Sequence, residues 1–298
     1  MPSLKEVRAR IISVNSTQQI TKAMKMVSAA KLRRAQDNIN KIRPYSEKLT
    51  DILNNVSASL DVTSVENPYS VVREANKILI VLITSDRGLA GAFNTNAIKA
   101  SLALIENKYS KQVQEGNADI LCIGKKGSEF LTKRGYTVLE DYIGLFSSLS
   151  FESVRKAAEY AMENFAAEKY DRVYVVYNEF KNVATQIVRT EQFLPTVSEQ
   201  TDDLQAQTAA TYNDYIFEPS KEKIVSELIP KSLKIQFYKF VLESNASEHG
   251  ARMTAMDKAT DNAKELLKEL RLIYNRSRQA AITKEILEIV GGAEALNN

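Results

Sequence analysis

The chain opens on an apolar stripe. Leu4, Val7, Ile11 and Val14 keep the 3,4,3 spacing that gathers side chains on one helical face, and Leu32, Ala35, Ile39 and Ile42 repeat it. Between them Ile20, Met24 and Val27 fall out of phase, which predicts a shift that alters a supercoil locally without ending the helix. Pro44 predicts a kink or break, with more helix beyond it through Leu49, Ile52, Val56 and Leu60. Near the other end, Met256, Ala259, Ala263, Leu266, Leu270, Ile273, Ser277, Ala280, Lys284 and Leu287 form a second seam, which Gly291-Gly292 is expected to stop. Residues 3–43 contain no Gly or Pro, and residues 231–290 contain no Pro and only Gly250. At about 1.5 Å rise per residue these stretches would run about 60 Å and about 90 Å. That is too long for a compact domain, so they are expected to project and to pair with each other as an antiparallel coiled coil.

The middle of the chain has a different period. Ile78–Thr84, Asp119–Ile123 and Val173–Tyr177 read as buried strands, and Tyr136–Tyr142 and Gln186–Phe193 as flanking ones. Ala92–Tyr109, Lys125–Arg134 and Phe151–Lys169 read as the intervening helices. Seven of the ten glycines fall between Gly88 and Gly144, where strands must turn into helices. The fold class is α/β: a long antiparallel coiled coil of the terminal helices plus a Rossmann-like α/β domain with a mostly parallel sheet. The expected divisions are a coiled-coil helix over 1–65, the α/β domain over 76–195, a linker over 196–222 and a second coiled-coil helix over 223–298.

Composition removes whole classes of function. The longest aliphatic run, Ile78 to Ile83, is six residues, where a membrane helix needs about 20. Met1-Pro2-Ser3 leads straight into charged amphipathic sequence, so no secretion signal is expected and a cytoplasmic protein fits best. With Cys122 the only cysteine and His249 the only histidine, an internal disulfide is impossible and most metal and acid–base constellations disappear. No catalytic, cofactor-binding or metal site is expected. The formal charge of +3 hides an asymmetry: residues 1–43 hold ten Lys or Arg against Glu6 and Asp37 alone. Such an arm seeks an acidic partner. A basic coiled-coil protein binding nucleic acid would use the same arm, but residues 3–43 contain no aromatic side chain on which bases could stack.

Two glycine-bearing loops invite a nucleotide-dependent reading. Ser85-Asp86-Arg87-Gly88-Leu89-Ala90-Gly91 follows the first strand and opens a helix, but its spacing fits neither a dinucleotide fingerprint nor a P-loop. Gly88 and Gly91 are expected to permit a tight turn, with Arg87 left exposed for a partner. Gly124-Lys125-Lys126-Gly127 matches a GxxG clamp only in outline and reads as a second strand-to-helix turn.

Four blocks resemble one family. Gln18-Gln19-Ile20-Thr21-Lys22-Ala23-Met24-Lys25-Met26-Val27-Ser28-Ala29-Ala30-Lys31-Leu32 is similar to the N-terminal signature of the gamma subunit of F-type ATP synthases. Ile282-Thr283-Lys284-Glu285, Glu288 and Gly292-Ala293-Glu294-Ala295 resemble its C-terminal signature. Ser85–Gly91 and Ala251-Arg252-Met253-Thr254-Ala255-Met256 resemble two further blocks, with Ala90 where many members carry Cys. The resemblance implies a non-catalytic rotor shaft that couples proton flow through a membrane rotor to ATP synthesis or hydrolysis in a ring of alpha and beta subunits. It implies partners in that ring, the epsilon subunit and the membrane c-ring, with no nucleic acid. Membrane association would then run only through partners, on the cytoplasmic side of the cell (inner) membrane. By resemblance, Arg278 and Gln279 would grip a beta-subunit loop, with Met24, Arg252, Thr283 and Glu285 near the same coupling region.

Overall fold

The computed structural model describes residues 3–58, 67–196 and 221–297, so most of the expected linker and Leu60 lie outside the described residues. The chain forms two compact units, Met1–Ala29 with Arg252–Asn298, and Ala30–Ala251.

Helix α1, Leu4–Ala58, begins at a reciprocal cap in which Glu6 N donates to Ser3 Oγ at 3.3 Å and Ser3 N to Glu6 Oε2 at 3.2 Å. Its seam never shifts. The more buried positions run Leu4, Val7, Ile11, Val14, Gln18, Thr21, Lys25, Ser28, Leu32, Ala35, Ile39, Ile42, Ser46 and Leu49, an unbroken 3,4 repeat. Ile20 and Val27, which defined the expected phase shift, are instead 59% and 57% exposed. Hydropathy misled there because polar side chains occupy the seam and apolar ones the outer face. Pro44 does not break α1 either. The seam residues on both sides of it, Ile39 and Leu49, are buried, which offsets the roughly 3 kcal/mol that an interior proline costs.

Helix α6, Lys221–Asn297, is the chain's other long helix and continues through Gly291 and Gly292, so the expected stop is not observed. Neither glycine takes a left-handed φ, which is what a glycine stop would require. In the Met1–Ala29 and Arg252–Asn298 unit, α1 and α6 pair antiparallel: the hydroxyls of Thr21 and Thr260 bond at 2.8 Å, and the Lys25 ammonium reaches the Asp257 carboxylate. The α6 seam runs Met256, Thr260, Ala263, Leu267, Leu270, Tyr274, Ser277 and Ala281. Alternate members of the expected seam (Ala259, Leu266, Ile273, Ala280) are thus displaced by one residue, and Leu266 and Ile273 face outward.

The Ala30–Ala251 unit holds a five-stranded sheet of order β3-β2-β1-β4-β5. Strands β1 (Ile78–Ile83), β2 (Ala118–Ile123), β3 (Val138–Leu139) and β4 (Arg172–Phe180) are parallel, and β5 (Gln186–Leu194) is antiparallel to β4. The third strand is far shorter than Tyr136–Tyr142, because Asp141 onward turns toward a 3-10 helix at Leu145–Ser148. Helices α2 (Phe93–Lys108), the short α3 (Ser110–Gln114) and α4 (Lys125–Thr132) lie among the connections, and α5 (Phe151–Ala166) starts at a Ser150–Ser153 capping box. Both faces of the sheet are covered, which is why β1 reads as a continuous aliphatic run. Leu79, Val81 and Ile83 pack with α5 and with Leu233, Phe237, Phe240 and Val241 of α6, while Ile78, Ile80 and Leu82 pack with α2 and α4.

Cys122 lies wholly buried on the second of these faces, and burial, helped by the nearby Glu140 carboxylate, pushes its thiol up to about 12. Since the thiolate is the reactive species, native protein is expected to take up essentially no thiol reagent at about pH 8, and to react only when denatured. Labelling of the native chain at the rate of free cysteine would contradict this burial. With Cys122 replaced by Ser, cysteines at Thr21 and Thr260 should form a crosslink, whereas a Val27 and Thr260 pair should not. The reverse result would restore the shifted seam.

Candidate partner-binding surfaces

The turn from β1 into α2 is built from the chain's own hydrogen bonds. Asn94 Oδ1 accepts from Ser85 N at 2.9 Å, and Ser85 Oγ donates to the Arg87 carbonyl at 2.6 Å. The neighbouring turn into α4 is satisfied from the same loop: Lys125 N donates to Asp86 Oδ1 at 3.2 Å, Lys126 N to the Ser85 carbonyl at 3.1 Å and Gly127 N to Thr84 Oγ1 at 2.9 Å. The amides that would cradle a phosphate at this helix start are therefore already occupied. Gly124 takes φ 102°, and a Cβ there would lie 2.1 Å from the Thr84 carbonyl oxygen, so the first Gly of the GxxG motif serves close packing of backbone. In the Ser85–Gly91 loop the left-handed residues are Gly91 (φ 57°) and, unexpectedly, Leu89 (φ 64°), while Gly88 is not among them. Leu89 is also 64% exposed. A non-glycine residue in this region costs about 1–2 kcal/mol, and here no burial of the side chain compensates.

A doubly wound sheet receives ligands outside its carboxyl edge, where the strand order reverses. Here that point lies between β1 and β4, since the chain leaves β1 toward β2 and β3 and returns on the other flank at β4. Helix α6 occupies it. After packing on one sheet face through a Tyr177–Phe240 ring contact (centroids 4.6 Å apart) and a Phe193–Phe237 contact (5.5 Å), α6 passes the end of β4, where Phe180 N donates to Glu243 Oε2 at 3.0 Å. It then reaches the start of α2, where Ala251 packs with Ala90 and Phe93. Within this unit Arg43 of α1 also pairs with Glu243, through Nη2 at 2.8 Å and Nε at 3.3 Å.

The residues expected at partner contacts fall into separate places. Arg278, Gln279, Thr283 and Glu285 are exposed together on two turns of α6, with Thr283 Oγ1 donating to the Gln279 carbonyl at 2.9 Å. Two outward stripes combine them with apolar neighbours: Arg278, Ile282, Glu285 and Ile289, and Gln279, Thr283, Ile286 and Val290. Those exposed isoleucines and Val290 were missed from the sequence, although their 4,3,4 spacing from Arg278 and Gln279 was readable. Met24 is half-buried beside Lys25, whose partner Asp257 precedes Arg278 by 21 residues of helix, about 30 Å. Arg252 lies further still along α6 and is only 8% exposed. The structure therefore gathers four of the expected contact residues and sets Met24 and Arg252 apart from them. Arg87 is exposed in the other unit.

The sequence matches the family profile described as ATP synthase over residues 3–296. It is 68% identical over 298 residues to the ATP synthase gamma chain of Cytophaga hutchinsonii, covering 100% of both chains. The chain belongs to the ATP synthase gamma chain family. Another member, from Flavobacterium psychrophilum, is 56% identical over 296 residues, covering 99% of each chain. Among solved structures, a central stalk/c-ring chain of the Tetrahymena thermophila mitochondrial ATP synthase aligns with a TM-score of 0.55 at 25% identity, covering 80% of this chain and 99% of that one. A chain of the Euglena gracilis mitochondrial enzyme shares the fold with a TM-score of 0.66 at 24% identity, covering 98% and 94%.

A gamma chain whose switch point is filled by its own helix, and whose α4 amides are already bonded, should bind no nucleotide by itself. Calorimetric titration of the isolated chain with ATP and magnesium is expected to give no heat beyond dilution. A micromolar Kd would contradict the assignment of these turns as structural.

Proposed function

We propose that this chain is the central rotor shaft of a proton-translocating F-type ATP synthase, a subunit that performs no chemistry and transmits torque. The observation that supports this best is full-length similarity to gamma chains, joined to a fold in which α1 and α6 bond to each other and α6 bonds the carboxyl end of β4. Its partners are the alpha and beta subunits of the catalytic ring, the epsilon subunit and the membrane c-ring. Among the described residues no helix is long and apolar enough to cross a membrane. The chain joins a membrane-associated complex, and its place is peripheral, on the cytoplasmic side of the cell (inner) membrane, held through those partners.

The mechanism follows from differential contact. Each catalytic site of the ring is a bistable element, and a rotating ligand with unlike faces biases the sites in turn. Unlike faces are what the two helices present: basic side chains along α1, and mixed polar and apolar stripes at residues 278–290 of α6. Exposed ion pairs are worth about 0–1 kcal/mol each, so contacts by the basic arm can be remade at every step. Arg278 and Gln279 are the proposed catch, the guanidinium offering a planar fork of donors and the amide both a donor and an acceptor to a carboxylate-bearing loop. Met24, Arg87, Arg252, Thr283 and Glu285 remain proposed contributors to partner contact, and exposed, left-handed Leu89 joins Arg87 in the loop.

Replacing Arg278 and Gln279 together with Ala should leave helix content by circular dichroism within a few per cent, because exposed changes to Ala usually cost within about 0.5 kcal/mol. Assembled enzyme should nevertheless lose much of its ATP turnover or its proton pumping per ATP. An assembled double mutant with normal turnover and normal pumping would show these residues to be ordinary helix surface. Purification from the native membrane with an ATP-hydrolysing ring tests the rotor reading itself, and a chain that never co-purifies with one would overturn it.

A further inference from the structure

We infer that, within the Ala30–Ala251 unit, the Arg43–Glu243–Phe180 node is the torsion-bearing joint between that unit's own stretches of α1 and α6 and its sheet, with Glu243 as its positioning residue. This rests on the rotor reading. The node joins three elements at one carboxylate: Oε1 takes the Arg43 guanidinium of α1, and Oε2 takes the Phe180 amide at the end of β4. The Glu243 side chain is 3% exposed, and Val241, Leu242, Ser244, Ala246 and Ser247 around it on α6 are buried as well. Helix α6 is thus enclosed over this stretch, so the Phe180 bond is shielded from solvent, while the Arg43 side chain, 41% exposed, leaves one edge of the node open to water.

A buried carboxylate is a poor choice for stability alone, because well-packed apolar residues usually serve as well or better. What it adds is direction. The ring contacts that hold α6 to the sheet, Tyr177–Phe240 and Phe193–Phe237, are apolar, and such contacts tolerate small slips of one surface over another. Hydrogen bonds weaken steeply as their angle departs from linear, so the bonds at Glu243 resist rotation of α6 about its own axis relative to α1 and β4. Glu243 also sits at the sheet's switch point, where α6 crosses from the packed face toward α2.

The test uses the assembled complex carrying Glu243→Ala, Glu243→Gln or Arg43→Lys. Loss of the acceptor in Glu243→Ala should speed hydrogen exchange of the Phe180 amide by roughly 10- to 100-fold. With the ring held still, the angular spread of a probe fixed to the sheet domain should widen, and protons pumped per ATP should fall while the ring's ATP hydrolysis rate stays near wild type. Glu243→Gln should fall between. A merely structural role would alter stability and assembly, leaving angular spread and pumping ratio unchanged in whatever complex forms, and that result overturns the inference. Failure of all three variants to assemble overturns it too, since the node would then be a requirement for folding. If the wild-type chain joins no ring, the rotor reading falls and takes this inference with it; if wild type rotates and the variants match it, only this inference falls.

Discussion

A helix that must bury one stripe along about 13 turns cannot choose its partners freely, and that constraint organises this chain. Helix α1 carries its 3,4 repeat from Leu4 to Leu49 without a slip. A one-residue change of phase would rotate the seam by about 100°, so it must be held wherever hydropathy does not hold it. Thr21 with Thr260, and Lys25 with Asp257, do this where the seam turns polar. Their energetic contribution is small, since the Lys25 and Asp257 side chains are 39% and 49% exposed and such pairs contribute at most about 1 kcal/mol. Their contribution to register is larger, because polar seam residues pair well at one alignment only.

Placing polar residues inward over positions 18–28 forces apolar ones outward. Ile20 and Val27 share a face seven residues apart, with Ala23 and Ala30 beside them, all exposed. Apolar side chains are exposed over residues 282–290 of α6 too, where every residue is exposed. On a chain proposed to turn inside a ring, the outward surface is thus a mixture of cations and branched aliphatics. Exposed ion pairs of such cations are worth at most about 1 kcal/mol each, so they can be remade as the shaft turns.

How legible this was depended on what decided each feature. The strands were readable because both faces of the sheet are covered, and six aliphatic residues in a row have few other uses. The antiparallel pairing was readable from the two seams, and so was the phase at both ends of the α1 seam, but not at positions 20–27 or at the alternate members of the α6 seam. Ile20, Met24 and Val27 outscore Gln18, Thr21 and Ser28 on any hydropathy scale, and only cross-helix partners reveal which set is inside. Gly291 and Gly292 read as a stop by propensity, yet glycine ends a helix only by adopting left-handed backbone, and these do not. Of the residues that the family resemblance proposes at partner contacts, Arg278, Gln279, Thr283 and Glu285 lie close on α6 because they are close in sequence. The scatter of Met24 and Arg252 was not, since motif similarity carries no distance. Leu89 was hidden because the sequence assigns the turn to Gly88 and Gly91, of which only Gly91 takes a left-handed φ.

The filled switch point separates what this fold can do from what its relatives in architecture do. An open crevice at the carboxyl edge of β1 and β4 would leave the α4 amides and the β4 end free for an anionic ligand. Here Thr84, Ser85 and Asp86 satisfy the amides, and Glu243 satisfies the β4 end. The acceptor thus comes from the protein itself, so the bond is permanent and cannot be competed away by a metabolite. A sheet domain that would otherwise clasp and release a small molecule instead clasps a helix of its own chain, which suits a part that must turn as one piece with what it holds.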